Sequence, residues 1–149
     1  MSEESTTPGP VELTRSVYAH LNSRDLDAIV GMMGPASVWD GSQWDLGIHT
    51  GPHAIRRFFE SWFGGLAEYG VRVREMQDLG NGVVFVVHVA HRAATDGGYL
   101  ELEAAPVYQW VEGTLARMTL YSGNDEGRAA AEQLARLTPS GTEARRPRP

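Results

Sequence analysis

The feature that most constrains this chain is a change of period near Val71. Before it, apolar residues recur at helical spacing. After it, β-branched and aromatic residues run in long stretches broken by glycines. Val71–Asp78, Val83–Ala94, Tyr99–Val111 and Leu115–Tyr121 read as strands. Gly80-Asn81-Gly82, Asp96-Gly97-Gly98 and Glu112-Gly113 separate them and suit tight turns that need positive φ. The pattern is a four-strand antiparallel meander. Two strands run to about twelve residues, roughly double the usual length. Strands that long twist and curl, so the sheet must wrap around something.

The first half supplies what it wraps. Leu13, Val17 and Leu21 form one stripe of a helix from Pro10 to Asn22, flanked by Tyr18. Leu26, Ile29, Val30 and Met33 share a face of a second helix, which Gly34-Pro35 should end. Ala36–Asp40 is a short extended piece, and Gly41–Thr50 reads as a loop. A third helix starts at Thr50-Gly51-Pro52, with Thr50 as cap and proline in the first turn. Ile55, Phe58, Phe59 and Trp62 give it a wide aromatic face, and Gly64-Gly65 stops it. A last helix spans Asn124 to about Leu137, with Asn124 as a candidate cap. The expected fold is α+β: a cone-shaped barrel of about four main strands plus a short one, wrapped around three N-terminal helices. Such a sheet closed by helices leaves a conical cavity suited to a ligand. One domain should span residues 10–137, with disordered polar tails at 1–9 and 138–149.

Composition removes several chemistries. The 149-residue chain has no cysteine, which excludes disulfides, zinc–thiolate sites, iron–sulfur clusters and thiol nucleophiles. All 13 basic residues are arginine, so no lysine can form a Schiff base. A net charge of −6 argues against a nucleic-acid partner. No apolar run approaches the ~20 residues a membrane helix needs, and the N-terminus is polar and acidic rather than signal-like. A cytoplasmic protein is expected. His49 and His53 are four apart, but Gly51-Pro52 intervenes, so no metal and no cofactor are expected.

Three stretches carry a family likeness. Tyr18-Ala-His-Leu-Asn-Ser-Arg-Asp-Leu-Asp-Ala-Ile-Val30, Ala36-Ser-Val-Trp-Asp40 with Gly51-Pro-His-Ala-Ile-Arg-Arg-Phe-Phe59, and Ala105-Pro-Val-Tyr-Gln-Trp-Val-Glu-Gly113 through Tyr121 resemble the ketosteroid isomerase and SnoaL-like polyketide cyclase group. That group belongs to the nuclear transport factor 2-like superfamily. The resemblance covers roughly residues 11–136. It is specific for fold and weakly specific for activity, because this fold hosts isomerases, cyclases, epoxide hydrolases, dehydratases and binders. It implies a general base at Asp40. At the isomerases' first-helix tyrosine this chain has Val17, with Tyr18 next to it, and at their third-strand acid it has Tyr108. At the cyclases' acid it has Pro106.

The candidate site follows. Asp40 adjoins Trp39 and lies near Trp44. Desolvation there would raise its pKa and make it a base for a proton α to a carbonyl. The alternative is a loop aspartate that caps local amides. Tyr108, Tyr18 and His88 are candidate donors. His88 shares a strand face with Val84, Val86, Ala90 and Arg92, and His91 faces the other way. Arg92 can meet an anionic substrate or pair with Glu101 or Glu103. Trp44, Phe59, Trp62, Trp110 and Met118 are candidate pocket wall, or simply core.

Two functions remain open. One is a metal-free isomerase, cyclase or lyase acting on a hydrophobic carbonyl compound. Its variant is an epoxide hydrolase using Arg92 between Glu101 and Glu103. The other is a non-catalytic binding or dimerisation module. A homodimer is expected in either case, through apolar residues on the sheet's convex face.

Overall fold

A computed structural model describes residues 8–137. The chain order is α1 (Pro10–Ser23), α2 (Leu26–Val30), β1 (Met33–Asp40), β2 (Ile48–Thr50), α3 (Gly51–Gly64), β3 (Leu66–Gly80), β4 (Val83–Ala94), β5 (Tyr99–Val111), β6 (Thr114–Tyr121) and α4 (Asn124–Leu137). The fold is the expected α+β cone. The tails expected at 1–9 and 138–149 lie outside the described residues, except Pro8 and Gly9. The Gly9 N–H donates to the Glu12 carboxylate (3.1 Å) at the start of α1.

Strands β3 to β6 form the meander, and the whole sheet runs β2-β1-β6-β5-β4-β3. It has six strands rather than five. It is mixed rather than wholly antiparallel, because β1 lies parallel to β6. A parallel neighbour needs a long crossover, and everything between β1 and β6 supplies it. The second helix also ends earlier than its apolar spacing suggested. α2 stops at Val30, and Met33-Gly34-Pro35 already belongs to β1. Pro35 is tolerated because the β1–β6 register is irregular between Met33 and Val38, so its missing N–H costs no ladder bond. The expected loop at 41–50 holds a short 3₁₀ turn (Ser42–Trp44) and β2. Thr50 flanks α3, but its side chain makes no capping hydrogen bond.

The turns behave as their composition demands. Asn81 and Gly82 both adopt positive φ between β3 and β4. A side chain at Gly82 would also place its Cβ 2.2 Å from the Trp110 carbonyl oxygen, so only glycine fits.

The sheet separates two apolar layers. On its concave side α1, α2 and α3 pack against Val71, Val84, Val86, Tyr108, Leu115 and Met118. On its convex side Val83, Phe85, Val87, Ala105 and Val107 pack under Ala131 and Ala135 of α4. Convex apolar residues expected to pair two chains are thus largely covered by this chain's own helix. Further along that face Arg72 pairs with Glu101 (3.6 Å) and Arg74 with Glu103 (3.0 Å).

At one edge, β3 is 15 residues long and irregular at three places, Leu66/Glu68, Val73/Glu75 and Asp78/Gly80. The Asn22 side chain of α1 donates to the Val71 carbonyl (2.9 Å) and accepts from the Val71 N–H (2.8 Å). It therefore occupies one ladder position on that free edge.

Candidate functional site

The concave layer is not filled. A cavity of about 110 Å³ remains, several times the roughly 10–15 Å³ that one water needs. Its wall is mostly apolar: Leu21, Trp39, Phe58, Trp62, Leu102 and Met118 are among its residues, with Trp44 and Leu46 from the segment after β1. His88, Tyr69, Tyr108 and Arg92 are its polar members besides the indoles. A wider groove borders it and shares Trp62, Arg92 and Leu100 with it.

Strand alternation brings His88, Ala90 and Arg92 of β4 to this cavity. Beside His88 the β4–β5 ladder lacks paired residues between Phe85↔Val107 and His88↔Ala104, with its register unchanged. Pro106, which has no N–H to donate, lies in the gap.

A buried chain of three polar side chains from three elements joins two residues of the cavity wall, His88 and Tyr108, through Tyr18. The Tyr108 hydroxyl lies 3.0 Å from the Tyr18 hydroxyl, and Tyr18 lies 2.7 Å from His88 Nδ1. Tyr18 meets both rings edge-on. All three residues are at most 8 % exposed. Burial pushes the His88 pKa down to about 4, so the imidazole is neutral at physiological pH. Burial raises both phenols, Tyr18 well above its usual value, so both keep their protons. His88 Nε2 has no hydrogen-bond partner among the described residues, because the Tyr18 contact is to Nδ1.

Asp40 is elsewhere. Trp39 lines the cavity, and Asp40, one residue on, faces away from it, because a strand alternates sides. Its Oδ1 accepts from the Ser42 N–H (3.0 Å) and Ser42 hydroxyl (2.6 Å), and its Oδ2 accepts from Arg117 (2.5 Å). Burial alone would raise its pKa. The Ser42 hydrogen bonds and the Arg117 guanidinium outweigh that and hold it below the usual carboxylate value. The expectation of a raised pKa is therefore corrected: this carboxylate closes a turn and anchors β6. Replacing Asp40 by Asn is expected to cost about 1–3 kcal/mol of stability, read by urea unfolding. Ligand affinity at the cavity is expected to stay within about threefold, since 0.7 kcal/mol or less is at stake there. A variant that keeps its stability but loses ligand would overturn this assignment.

The other expected wall residues divide. Trp44, Trp62, Met118 and Arg92 line the cavity. Phe59 does not: it is 1 % exposed, packed edge-on to Trp39 in the core. Trp110 does not either. Its indole N–H donates to the Thr14 hydroxyl (2.9 Å), and its ring stacks on Tyr108. Glu101 and Glu103 are on the convex side with Arg72 and Arg74, so they cannot flank Arg92 as an epoxide-opening pair. His49 stacks on Phe58, with its Nε2 at 2.8 Å from the Leu46 carbonyl oxygen. Residues missed from sequence include Trp39, whose alternation against Asp40 was the available signal, and Tyr69, Leu100 and Leu102. Those last three sit where strand ends meet the cavity, which only the curvature decides.

Comparison with known proteins follows the same lines. Solved structures share the fold at low identity. TerC, co-crystallised with polyporic acid, is 20% identical, covering 83% of this chain and 98% of its own, with a TM-score of 0.67. A Mycobacterium tuberculosis protein in complex with estradiol-17β-hemisuccinate is 16% identical over 79% of this chain and 97% of its own, with a TM-score of 0.68. An NTF2-like protein of unknown function from Burkholderia pseudomallei K96243 is 18% identical over 88% and 98%, also at 0.68. A search of curated proteins finds no match. Residues 14–118, well over half of the chain, match the SnoaL-like domain. The chain belongs to the SnoaL-like domain family.

Proposed function

We propose that the cavity binds a hydrophobic, carbonyl-bearing small molecule and moves a proton on it, with His88 and Tyr108 as the reacting groups and Tyr18 linking them. The unbroken Tyr108–Tyr18–His88 chain carries this reading. Two proton arrangements satisfy it. In one, Tyr108 donates to Tyr18, Tyr18 donates to Nδ1, and Nε2 carries the other imidazole proton. In the second, Nδ1–H donates to Tyr18, Tyr18 donates to Tyr108, and Tyr108 is free to donate to a ligand while Nε2 accepts.

One enolisation step converts the second arrangement into the first. Nε2 takes the proton from the carbon α to the carbonyl as Tyr108 gives its proton to the carbonyl oxygen. Tyr18 re-protonates Tyr108 and receives the Nδ1 proton. Each group ends neutral, which suits a buried site where any lasting charge is costly. Reversal at another carbon completes an isomerisation. Relatives solved with polyporic acid and with estradiol-17β-hemisuccinate support a small-molecule cavity.

One observation favours a second reading, binding without turnover. No carboxylate among the described residues lines the cavity, and a histidine held near pKa 4 is a weak base on its own. Deuterium exchange separates the two. With 2-tetralone in D₂O, NMR is expected to show exchange of the α-protons above the buffer rate. Tyr18→Phe is expected to slow that exchange by about 10²-fold or more while leaving the Kd within about threefold. Saturable binding without exchange would leave the binding reading standing. No binding by any ketone tried would sink both.

A further inference from the structure

Among the described residues, Arg92 is the one cation lining the cavity and the bordering groove, and it lines both. It is half-buried, yet it has no ion pair and no hydrogen bond among the described residues. Six ion-pair contacts among the described residues show what arginines of this chain do when acids are in reach. The acids nearest in pattern, Glu101 and Glu103, are committed to Arg72 and Arg74 across the sheet. No aspartate or glutamate among the described residues lines the cavity or the groove, in a chain of net charge −6. A guanidinium against an apolar wall is poorly solvated and calls for a counter-charge.

The wall thus offers a positive charge, and an apolar molecule with a negative end complements it.

We infer that the ligand is an apolar carboxylic acid bound as its anion, with the carboxylate on Arg92 at the boundary of cavity and groove and the apolar body inside. This deepens the small-molecule reading above and rests on it. Arg92 is then a specificity residue, which selects the charged end without touching the reacting atoms.

The test compares 2-naphthylacetic acid with its methyl ester, each titrated against the intrinsic tryptophan fluorescence of the full chain and of Arg92→Gln. The acid is expected to bind wild type about tenfold or more tighter than the ester, and Arg92→Gln to erase that gap with the ester's Kd changed by less than about threefold. Arg92→Lys, which keeps the charge, is expected to retain part of the preference. Equal binding of acid and ester by wild type, or a gap that survives in Arg92→Gln, would overturn the inference and leave the cavity reading intact. Failure of both compounds to bind would overturn the cavity reading and the inference with it. Thermal melting of each variant confirms that the comparison is made on folded protein.

Discussion

Between pH 6.5 and pH 4 the protein is expected to lose about 3 kcal/mol of stability, and a His88→Gln variant is expected not to. The unfolded chain's histidine takes up a proton near 6.5, whereas His88 in the fold does so only near 4. Through that window the unfolded state binds more protons than the folded one, so stability falls as pH falls. The difference of about 2.5 pH units, at about 1.4 kcal/mol each, sets the size. The groups facing His88 do not cancel it. Tyr18 and Tyr108 stay neutral there. Asp40, held below the usual carboxylate value, contributes stability lost only at lower pH. The measurement is urea unfolding at several pH values on both proteins. Parallel pH profiles would mean that His88 titrates normally and that its link to Tyr18 is open to water.

Truncating Phe59 to Ala is expected to cost about 3–5 kcal/mol, enough to threaten the fold of a domain this size. Phe59 is 1 % exposed, and its ring touches Trp39, Phe58, Trp62 and Phe63 in one aromatic cluster. Such a cluster cannot close around the hole that the ring leaves, because its neighbours are stiff. Phe58→Ala, at a partly buried ring on the cavity wall, is expected to cost less and to change ligand affinity instead. Denaturant midpoints and fluorescence titrations of the two variants decide this. A Phe59→Ala loss below about 1.5 kcal/mol would show that Phe59 borders empty space rather than core.

Both predictions turn on what the sequence could and could not disclose. The four meander strands were legible because glycine turns bracket long β-branched runs, and β4 and β5 begin and end where those turns put them. β1 was half-hidden. Gly34-Pro35 reads as a helix stop, and only the irregular pairing with β6 explains a proline inside a strand. The parallel β1–β6 contact has no local signal, since nothing near Asp40 announces Thr119. The site shows the same division. Alternation alone places His88 and Arg92 together, and it also puts Trp39 and Asp40 on opposite faces. The Ser42 turn that holds Asp40 follows from Asp-Gly-Ser two residues on. The Arg117 partner does not, because it is 77 residues away. Nor does the meeting of Tyr18 with His88 and Tyr108, separated by 70 and 90 residues. It depends on how α1 crosses the curved sheet.

The outer edge of β3 has a consequence for how the protein behaves in a crowded solution. Fifteen residues of unpaired edge would be a template for another molecule's strand, and repeated addition would build a fibre. The three breaks in its regularity and the Asn22 amide seated on Val71 spoil that template. Arg72, Arg74 and Glu75 add charge along it. A curved sheet with a free edge thereby keeps its neighbours from joining strand to strand. Replacing Asn22 is the change that would weaken that protection while leaving the cavity itself intact.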